Sequence, residues 1–450
     1  MAQWARLWEL PMEAPPSWSK EIVFTALAVG ARVCPVIGQD GLRLAAYWAH
    51  HFSEAIEIPI NAMREPSLQL VHLLLLKAMY ALHEHRFNDT FFYVGCASRT
   101  CIALGLNRAA VIAGPGIKKE QFRLAFWMTY IMERTSALIV GRPSSLRDED
   151  IDTPYPEGSR ASSSSTYIED IPPCGRITDW SFVGIMAKLG HVSDCVMSGI
   201  YSVQKVSDAR DLLMETNIHG CELALENIKN NLPAYLDFQK LEAPVGTDWQ
   251  ELQRLHIGMV HQFMRMLVHR PALIFTTYFS SISEAQSNIP GSIQLQSSID
   301  ISRKSAKGII TLAHESLSTR QPDARSDGSL AIYIIAACIT LLYEVLDPAT
   351  TPLHAKDTFS SVEQAIQCLD GMKHFAPTTG KTLSSDIMQM AKNVLFCSTG
   401  FGATDACDEF TAEFPWLRYV IVIFSFLLVL VLPCQSTTSL SSAISYVSSY

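Results

Sequence analysis

Closely paired cysteines are missing from this sequence. Its 11 cysteines form no C-x-x-C pair, and the nearest neighbours are Cys96 with Cys101 and Cys397 with Cys407. Structural zinc sites are usually built from such pairs, and disulfide-stabilised domains need a higher density of cysteine. The first residues also lack the pattern of a signal peptide. We therefore expect reduced thiols in an intracellular protein, and no zinc site made from this chain's own cysteines.

Positive charge is scarce as well. The 450 residues include 35 Lys and Arg against 44 Asp and Glu, a net charge of −9. The densest basic run, at 302–307, falls on a helical pattern and is typical of a solvated helix face. Binding to nucleic acid depends mainly on positive charge, so we expect no sequence-selective DNA binding by this chain alone. The sequence also lacks the G-x-S-x-G motif, the phosphate-binding loop and the dinucleotide fingerprint, so no hydrolase or nucleotide chemistry is indicated.

Apolar residues in helical patterns are abundant. Hydrophobic residues make up 48% of the chain and charged residues 18%, a composition typical of ordered proteins with a large core. Val- and Ile-rich alternation bounded by turns is almost absent before residue 415, so we predict an all-α fold, a large multi-helix domain with a serine-rich loop at 159–166. The predicted helices cover residues 67–86, 89–108, 118–141, 178–205, 207–231, 247–269, 297–319, 327–346, 357–375 and 384–399.

Several helix ends carry specific signals. Ser67 and Asp89 stand where the side chain of an N-cap residue would accept a backbone hydrogen bond. Gly105 and Gly141 stand where helices commonly end on a residue with positive φ. Pro143 then prevents the second of these helices from continuing.

The end of the sequence is compositionally distinct. From Tyr419 to Leu432 there are fourteen residues of which only Ser425 is polar. That run is shorter than the roughly 20 residues that a membrane-spanning helix needs. Three interpretations of 415–433 stay open: a membrane anchor, a buried helix or strand, and a tail outside the evolved domain.

An acidic segment follows the predicted helix 118–141. In "VGRPSSLRDEDIDTPYPE" (140–157), Asp148, Glu149 and Asp152 are spaced i, i+1 and i+4. On a helix these carboxylates would hold Mg²⁺ and a diphosphate, as the aspartate-rich motif of helical isoprenoid synthases does. Pro143 and Pro154 bracket the segment and disfavour a helix. No clean second metal motif occurs, and "DARDLLME" (208–215) is the nearest. We therefore expect no enzyme using Asp148 and Asp152.

The histidines are not spaced for metal binding. "HEH" (83–85) lies at the end of a predicted helix, where positive charge is favourable. His256 and His261 are five apart, which is not the i, i+4 spacing of two ligands on one helix. We interpret them as structural residues.

Three segments are most informative in combination: "CIALGLNR" (101–108), "RLAFWMTYIMERTSALIVGRP" (123–143) and "LRDEDIDTPYP" (146–156). Their order and spacing resemble the regulatory, or middle homology, domain of fungal zinc-cluster (Zn2Cys6) transcription factors. Asn107 replaces the family's usual histidine and Glu133 its usual aspartate. The matching positions are Leu104, Gly105, Leu106, Arg108, Phe126, Trp127, Glu133, Arg134, Gly141, Arg142, Pro143, Asp148, Asp150, Ile151, Asp152 and Pro154.

The resemblance extends to "MVHQFMRMLVHRPAL" (259–273) and implies three parts of the chain. These are an N-terminal segment at 1–19, a regulatory domain at 20–400 with its core motifs at 67–157, and an irregular tail at 401–450. The matching residues are expected to have structural roles. We hypothesise that Glu133–Arg134, Arg142 and the Asp148–Asp152 carboxylates form one charged network that holds the loop against the preceding helix.

The resemblance implies a regulator of transcription in the nucleus, controlling metabolic or secondary-metabolite genes without catalysis. Expected partners are the transcription machinery or co-regulators, a second copy of the chain and a small effector. The family's six-cysteine zinc cluster binds DNA, but Cys34 is the only cysteine in the first ninety residues. We therefore expect zinc, and direct DNA contact, only through an upstream cluster or a partner. The alternative is a membrane-associated helical protein anchored by 415–433.

Overall fold

The computed structural model has only helices as regular secondary structure in the part of the chain that it describes, as the sequence predicts. The described residues are 19–33, 65–112, 117–156, 180–201, 215–239, 248–276, 281–289, 293–320, 327–345 and 352–372, with a few positions between them. The predicted helix 384–399, the serine-rich loop 159–166 and the apolar segment 415–433 lie outside these ranges. Among the described helices, none is long and apolar enough to cross a membrane.

Twelve helices follow one another through the described ranges. They are α1 (Ser19–Val33), α2 (Leu68–His83), α3 (Phe87–Ala103), α4 (Ala109–Ile112), α5 (Ile117–Val140), α6 (Ser181–Gly199), α7 (Glu215–Asn230), α8 (Asp248–Thr276), α9 (Ile282–Ser287), α10 (Leu295–Glu315), α11 (Leu330–Val345) and α12 (Pro352–Gly371). In the first half, α3 packs between α2 and α5, and α5 packs against α6. In the second half, α10 lies along α8, and α11 packs against α10 and α12.

The beginnings of α2 and α3 differ in how well they were predicted. The Ser67 side chain accepts a hydrogen bond from the backbone nitrogen of Leu70 at 3.2 Å, so the predicted N-cap is confirmed. The prediction of Asp89 as the cap of α3 is wrong. Arg86 occupies the N-cap position, and Asp89 lies in the first turn and forms an ion pair with Arg86 (Nε–Oδ2 3.1 Å). The carboxylate therefore acts near the positive end of the helix dipole without capping it.

Both helix-ending glycines have the predicted positive φ, 71° at Gly105 and 65° at Gly141. After Gly105, the Leu106 nitrogen donates to the Cys101 carbonyl at 3.0 Å. Each glycine thus lets the chain fold back and satisfy carbonyls at the end of its helix.

We expect Gly105→Ala to lower the free energy of unfolding by roughly 1–2 kcal/mol, the cost of placing a side chain in the left-handed region. A Cβ there would also lie 3.1 Å from Cγ2 of Val111. The measurement is urea denaturation followed by circular dichroism. Gly220→Ala in α7 is the control, because a Cβ at Gly220 meets nothing within 4 Å and a helical alanine is favourable. Equal stability of the two variants would contradict the prediction.

Helix α8 continues through Pro271 to Thr276, so the predicted end at residue 269 is wrong. A proline in a helix removes one hydrogen bond to the carbonyl four residues earlier, here Leu267. The Tyr201 hydroxyl donates to that carbonyl at 2.7 Å. Phe275, beyond the proline, is buried in the core. Replacement of the lost hydrogen bond, together with this burial, outweighs the tendency of proline to end a helix.

Helices α7 and α8 meet at a buried histidine. His261 of α8 is 3% exposed, and its Nε2 donates to the Leu225 carbonyl of α7 at 3.1 Å. Burial lowers the pKa of His261 to about 4, although the hydrogen bond with Leu225 partly opposes the shift. His261 is therefore neutral in the folded protein at neutral pH.

This histidine makes the fold sensitive to acid. In the unfolded chain a histidine takes up a proton near its ordinary pKa of 6.5, whereas folded His261 does so only near pH 4. The stabilisation is complete above pH 6.5 and is lost as the pH falls toward 4. We expect a loss of about 2 kcal/mol between pH 7 and pH 5, at 1.36 kcal/mol per unit of pKa shift.

His261→Gln removes the titrating group and keeps an amide donor for Leu225. Urea titrations at pH 7 and pH 5 should therefore show a smaller pH-dependent loss in the variant than in the wild type. The other buried histidines contribute equally to both proteins, so the difference isolates His261. An identical loss in the two proteins would refute the assignment.

Candidate functional site

The 141–156 loop is the most extensively bonded irregular segment in the motif region. It begins at Gly141, where α5 ends, and contains a short 3₁₀ turn at Asp148–Asp150. The loop contacts two parts of the protein: side chains of α5 and α6, and the 104–109 turn between α3 and α4. It therefore joins four consecutive helices, α3 to α6.

Glu133 holds the first part of the loop. Its side chain on α5 is 2% exposed, and its carboxylate accepts hydrogen bonds from the Ser144 hydroxyl, the Ser145 nitrogen and the Ser145 hydroxyl, the last at 3.0 Å. A buried carboxylate is tolerated only when its oxygens are hydrogen bonded. The two serines after Pro143 satisfy that requirement and fix the path of the chain.

Arg134 holds the middle of the loop and is the centre of a five-residue group, called here the Arg134 cluster. The guanidinium is 1% exposed and contacts Asp148 (Nη2–Oδ1 2.8 Å) and Asp194 of α6. Tyr130, one turn earlier, donates its hydroxyl to Asp148 at 2.8 Å, and its ring lies 5.0 Å from the Arg134 carbon Cζ. His191 Nδ1 completes the cluster, 2.5 Å from the second oxygen of Asp148.

The cluster shifts the pKa values of its own members. Burial alone would raise the pKa of Asp148, but the hydrogen bond from His191 and the positive charge of Arg134 lower it to about 2. The hydrogen bond with Asp148 is the main reason why the pKa of His191 rises to about 10. At neutral pH the cluster therefore contains two cations, Arg134 and His191, on either side of the ionised Asp148.

A glycine in α6 makes room for this cluster. A Cβ at Gly190 would lie 3.0 Å from Cε1 of Tyr130 and 3.3 Å from Cγ of Arg134. Because α6 approaches α5 so closely, His191 can reach Asp148 of the loop, and Asp194 can reach the Arg134 guanidinium. The close approach of α5 and α6 is thus part of the site.

Trp127 holds the end of the loop. Its indole Nε1 donates to the Pro154 carbonyl at 2.8 Å, and its ring stacks on Tyr155 with centroids 4.5 Å apart. Trp127 is 4% exposed, whereas Tyr155 is exposed on the surface. The preceding residue, Phe126, is fully buried and has a core role.

The second half of the loop also bonds to the 104–109 turn. Asn107 Nδ2 donates to the Asp150 carbonyl at 2.7 Å, and the Asp152 nitrogen donates to the Asn107 carbonyl at 3.1 Å. The Asp152 carboxylate accepts from the Ala109 nitrogen at 2.7 Å, and the Thr153 hydroxyl donates to the Leu106 carbonyl at 2.6 Å. Asn107 therefore binds the loop through both its side chain and its backbone carbonyl.

The structure separates the residues that the sequence grouped. Arg142 does not contact the acidic residues: its guanidinium donates to Asn88 of α3 at 2.6 Å and lies 5.1 Å from the Phe91 ring centre. The positions that match the family motifs differ in how far they are exposed to solvent. The buried ones are Leu106, Phe126, Trp127, Glu133 and Arg134, and the half-buried ones are Leu104, Gly105, Gly141, Asp148 and Ile151. The exposed ones are Arg108, Arg142, Pro143, Asp150, Asp152 and Pro154.

The geometry does not support magnesium binding by the acidic segment. The Asp148 carboxylate is used by Arg134, Tyr130 and His191, while the Asp152 carboxylate binds the Ala109 nitrogen. The two side chains do not converge on a common point, as a metal would require. Within the described ranges, no three His, Cys, Asp or Glu side chains are grouped in a way that could hold a metal ion.

Sequence reasoning missed several members of the site. His191 and Asp194 lie on α6, outside the family motifs, and their only signal is their polarity on a helix whose other face is apolar. A second buried group was also missed: Asp327 contacts His256 Nε2 at 3.1 Å and His83 Nδ1 at 3.3 Å. Two of the histidines interpreted as structural, His83 and His256, therefore meet at Asp327 although they lie far apart in sequence.

Comparison with known proteins finds similarity to one family over part of the chain. Residues 17–230, which include the whole 141–156 loop and its partners, match the family described as "Fungal specific transcription factor domain". The chain is similar to two uncharacterized transcriptional regulatory proteins of Schizosaccharomyces pombe, with 25% identity over 46% of this chain and 24% of the relative, and 27% over 40% and 24%. It is also similar to the ABC-transporter-regulating transcription factor of Aspergillus fumigatus, with 23% identity over 51% of this chain and 25% of that protein.

The chain spans about a quarter of the length of each of these curated relatives. No solved structure matches it significantly. The predicted limits of the regulatory domain at residues 20 and 400 remain predictions, since the family match covers 17–230 only.

Proposed function

We propose that this chain, which matches the fungal specific transcription factor domain at residues 17–230, regulates transcription in the nucleus. The observation that carries the proposal is the family match. The matched residues include the buried side chains that hold the 141–156 loop, namely Trp127, Glu133 and Arg134. The matched family is described as a transcription factor domain. The role that we propose is therefore to bind partners and transmit a signal, and not to catalyse a reaction.

The target genes that we propose are a metabolic or secondary-metabolite set. One relative is named for regulating an ABC transporter. The partners that we propose are co-regulators or the transcription machinery, a second copy of the chain and a small effector. Helical domains of this size can hold such an effector between their helices.

DNA contact would come from a partner or from a zinc cluster outside this chain. The net charge of −9 gives little attraction to phosphates. We expect purified protein to show no sequence-selective mobility shift of promoter DNA at physiological salt. A selective shift would reverse this part of the proposal.

The test of the regulatory role is a reporter with binding sites for an unrelated DNA-binding domain. The chain fused to that domain should change reporter output, upward for an activator or downward for a repressor, whereas the unfused chain should not. The DNA-binding domain alone, expressed to the same level, is the control. Output equal to this control, from a fusion found in the nucleus, would refute the proposal.

A further inference from the structure

Cys195 lies at the solvent-exposed end of the Arg134 cluster. It follows His191 by one turn of α6, and its Sγ is 4.0 Å from the imidazole Nε2. The other ring nitrogen, Nδ1, is bonded to Asp148. Sulfur, imidazole and carboxylate are thus aligned in the order found at activated nucleophiles, with the base oriented by a third group.

The cluster keeps the imidazole positively charged. Arg134 and Tyr130 bind one oxygen of Asp148, and His191 binds the other, so the carboxylate stays ionised and holds the proton on Nδ1. A cation next to an accessible sulfur attracts the thiolate, and the thiolate is the nucleophilic form of cysteine. Cys195 is itself exposed, so that Sγ is accessible to a reagent from solvent.

We propose that Cys195 is a reactive thiol that is modified by soft electrophiles of the α,β-unsaturated carbonyl class. In this step the thiolate forms an S–C bond to the β-carbon, and the C=C π electrons move toward the carbonyl oxygen to give an enolate. The enolate then takes a proton at the α-carbon from water. The thiol has lost one proton and the adduct has gained one, so the addition needs no oxidant or reductant.

The other described cysteines are poorly placed for this reaction. Cys101, Cys221, Cys338 and Cys368 are buried, and burial raises the pKa of Cys101 and of Cys221 to about 12. Cys96 is half-buried, and burial raises its pKa as well. Cys195 combines exposure with an adjacent cation, which gives a basis for selectivity.

The position also offers a route to the rest of the domain. Asp148 is shared by His191 and by Arg134, which is buried beneath the 141–156 loop. An adduct on Cys195 would replace its thiol with a bulkier thioether beside His191. The modified side chain would therefore lie next to the residue that binds Asp148.

The experiment measures modification of the full chain by N-ethylmaleimide at pH 7, with the rate at each cysteine followed by peptide mass spectrometry. We expect Cys195 to react faster than Cys96, the internal control. In His191→Gln its rate should fall on the order of tenfold, as expected for loss of one nearby charge. His191→Lys keeps a cation and should retain most of the rate, and the Cys96 rate should stay constant in all three proteins.

Two outcomes would overturn the proposal. One is an equal rate at Cys195 in the wild type and in His191→Gln. The other is an equal loss of rate in His191→Gln and His191→Lys, which would show that the charge is not responsible. Thermal melts of each variant confirm that it is folded, and because His191 is exposed, a folded variant is expected. Reporter activity is not used, so the outcome is independent of the proposed role in transcription.

Discussion

Replacing Arg134 with methionine is expected to lower the free energy of unfolding by about 3 kcal/mol. Removing one partner of a buried ion pair typically costs about 3–5 kcal/mol, because the remaining charge loses its compensation. Asp148 would keep only His191 as a cationic partner here, and Asp194 would lose its cationic partner. Their side chains are 27% and 33% exposed, so water can partly solvate them, and the lower end of the range applies. Methionine keeps much of the aliphatic packing against Gly190, so the loss reports mainly on charge.

Chemical denaturation of the purified chain measures this loss. The matched control is Arg147→Met in the 141–156 loop, whose side chain is 72% exposed and pairs with Glu149, which is 75% exposed. A solvent-exposed ion pair contributes less than about 1 kcal/mol. If both arginine variants lost the same stability, the buried cluster would not be the anchor that its geometry indicates.

Replacing Trp127 with alanine is expected to cost about 3–5 kcal/mol, the usual range for removing a large buried aromatic side chain. The variant loses core packing, the hydrogen bond to the Pro154 carbonyl and the stacking surface for Tyr155. Trp127→Phe keeps an aromatic ring but lacks the indole N–H. Its cost should be smaller, about 1–3 kcal/mol, the penalty for a polar group left without its partner.

Two measurements test the role of Trp127. Urea denaturation gives the size of the loss, and limited proteolysis shows whether the loop opens near Tyr155 before the rest unfolds. Trp249→Ala is the control, because that side chain is 40% exposed and its removal should cost little. Unchanged proteolysis of the loop in Trp127→Ala would mean that its end is held by other contacts.

The order of the elements could be predicted from the sequence, because it depends on local patterns. Helical periodicity located nine of the twelve helices of the described ranges but missed α1, α4 and α9. Gly105 and Gly141 marked two helix ends through the conformation that only glycine adopts easily. The family resemblance also placed Glu133 and Arg134 beside the acidic loop. These residues lie on α5 about two turns before the loop, so short separation in the chain implied proximity.

The direction of the side chains could not be predicted. Arg142 is closer in sequence to Asp148 than Arg134 is. Gly141 nevertheless redirects the chain, so that Arg142 faces α3. His191 joins Asp148 across 43 residues, a pairing that depends on how α5 and α6 pack. The course of α8 through Pro271 depended on the hydroxyl of Tyr201, which belongs to another segment. Each miss involves a tertiary contact that outweighs a local preference.

The bonds between the loop and the 104–109 turn have a consequence for hydrogen exchange. The Asp152 amide lies in an irregular segment, yet it donates to Asn107, and the Ala109 amide in turn donates to Asp152. Neither amide can become available to solvent deuterons unless the two segments separate. Segments that open together behave as one cooperative unit, with a shared opening free energy. Residues 104–109 and 150–153 should therefore exchange as a single foldon, although more than 40 residues of chain lie between their bonded atoms.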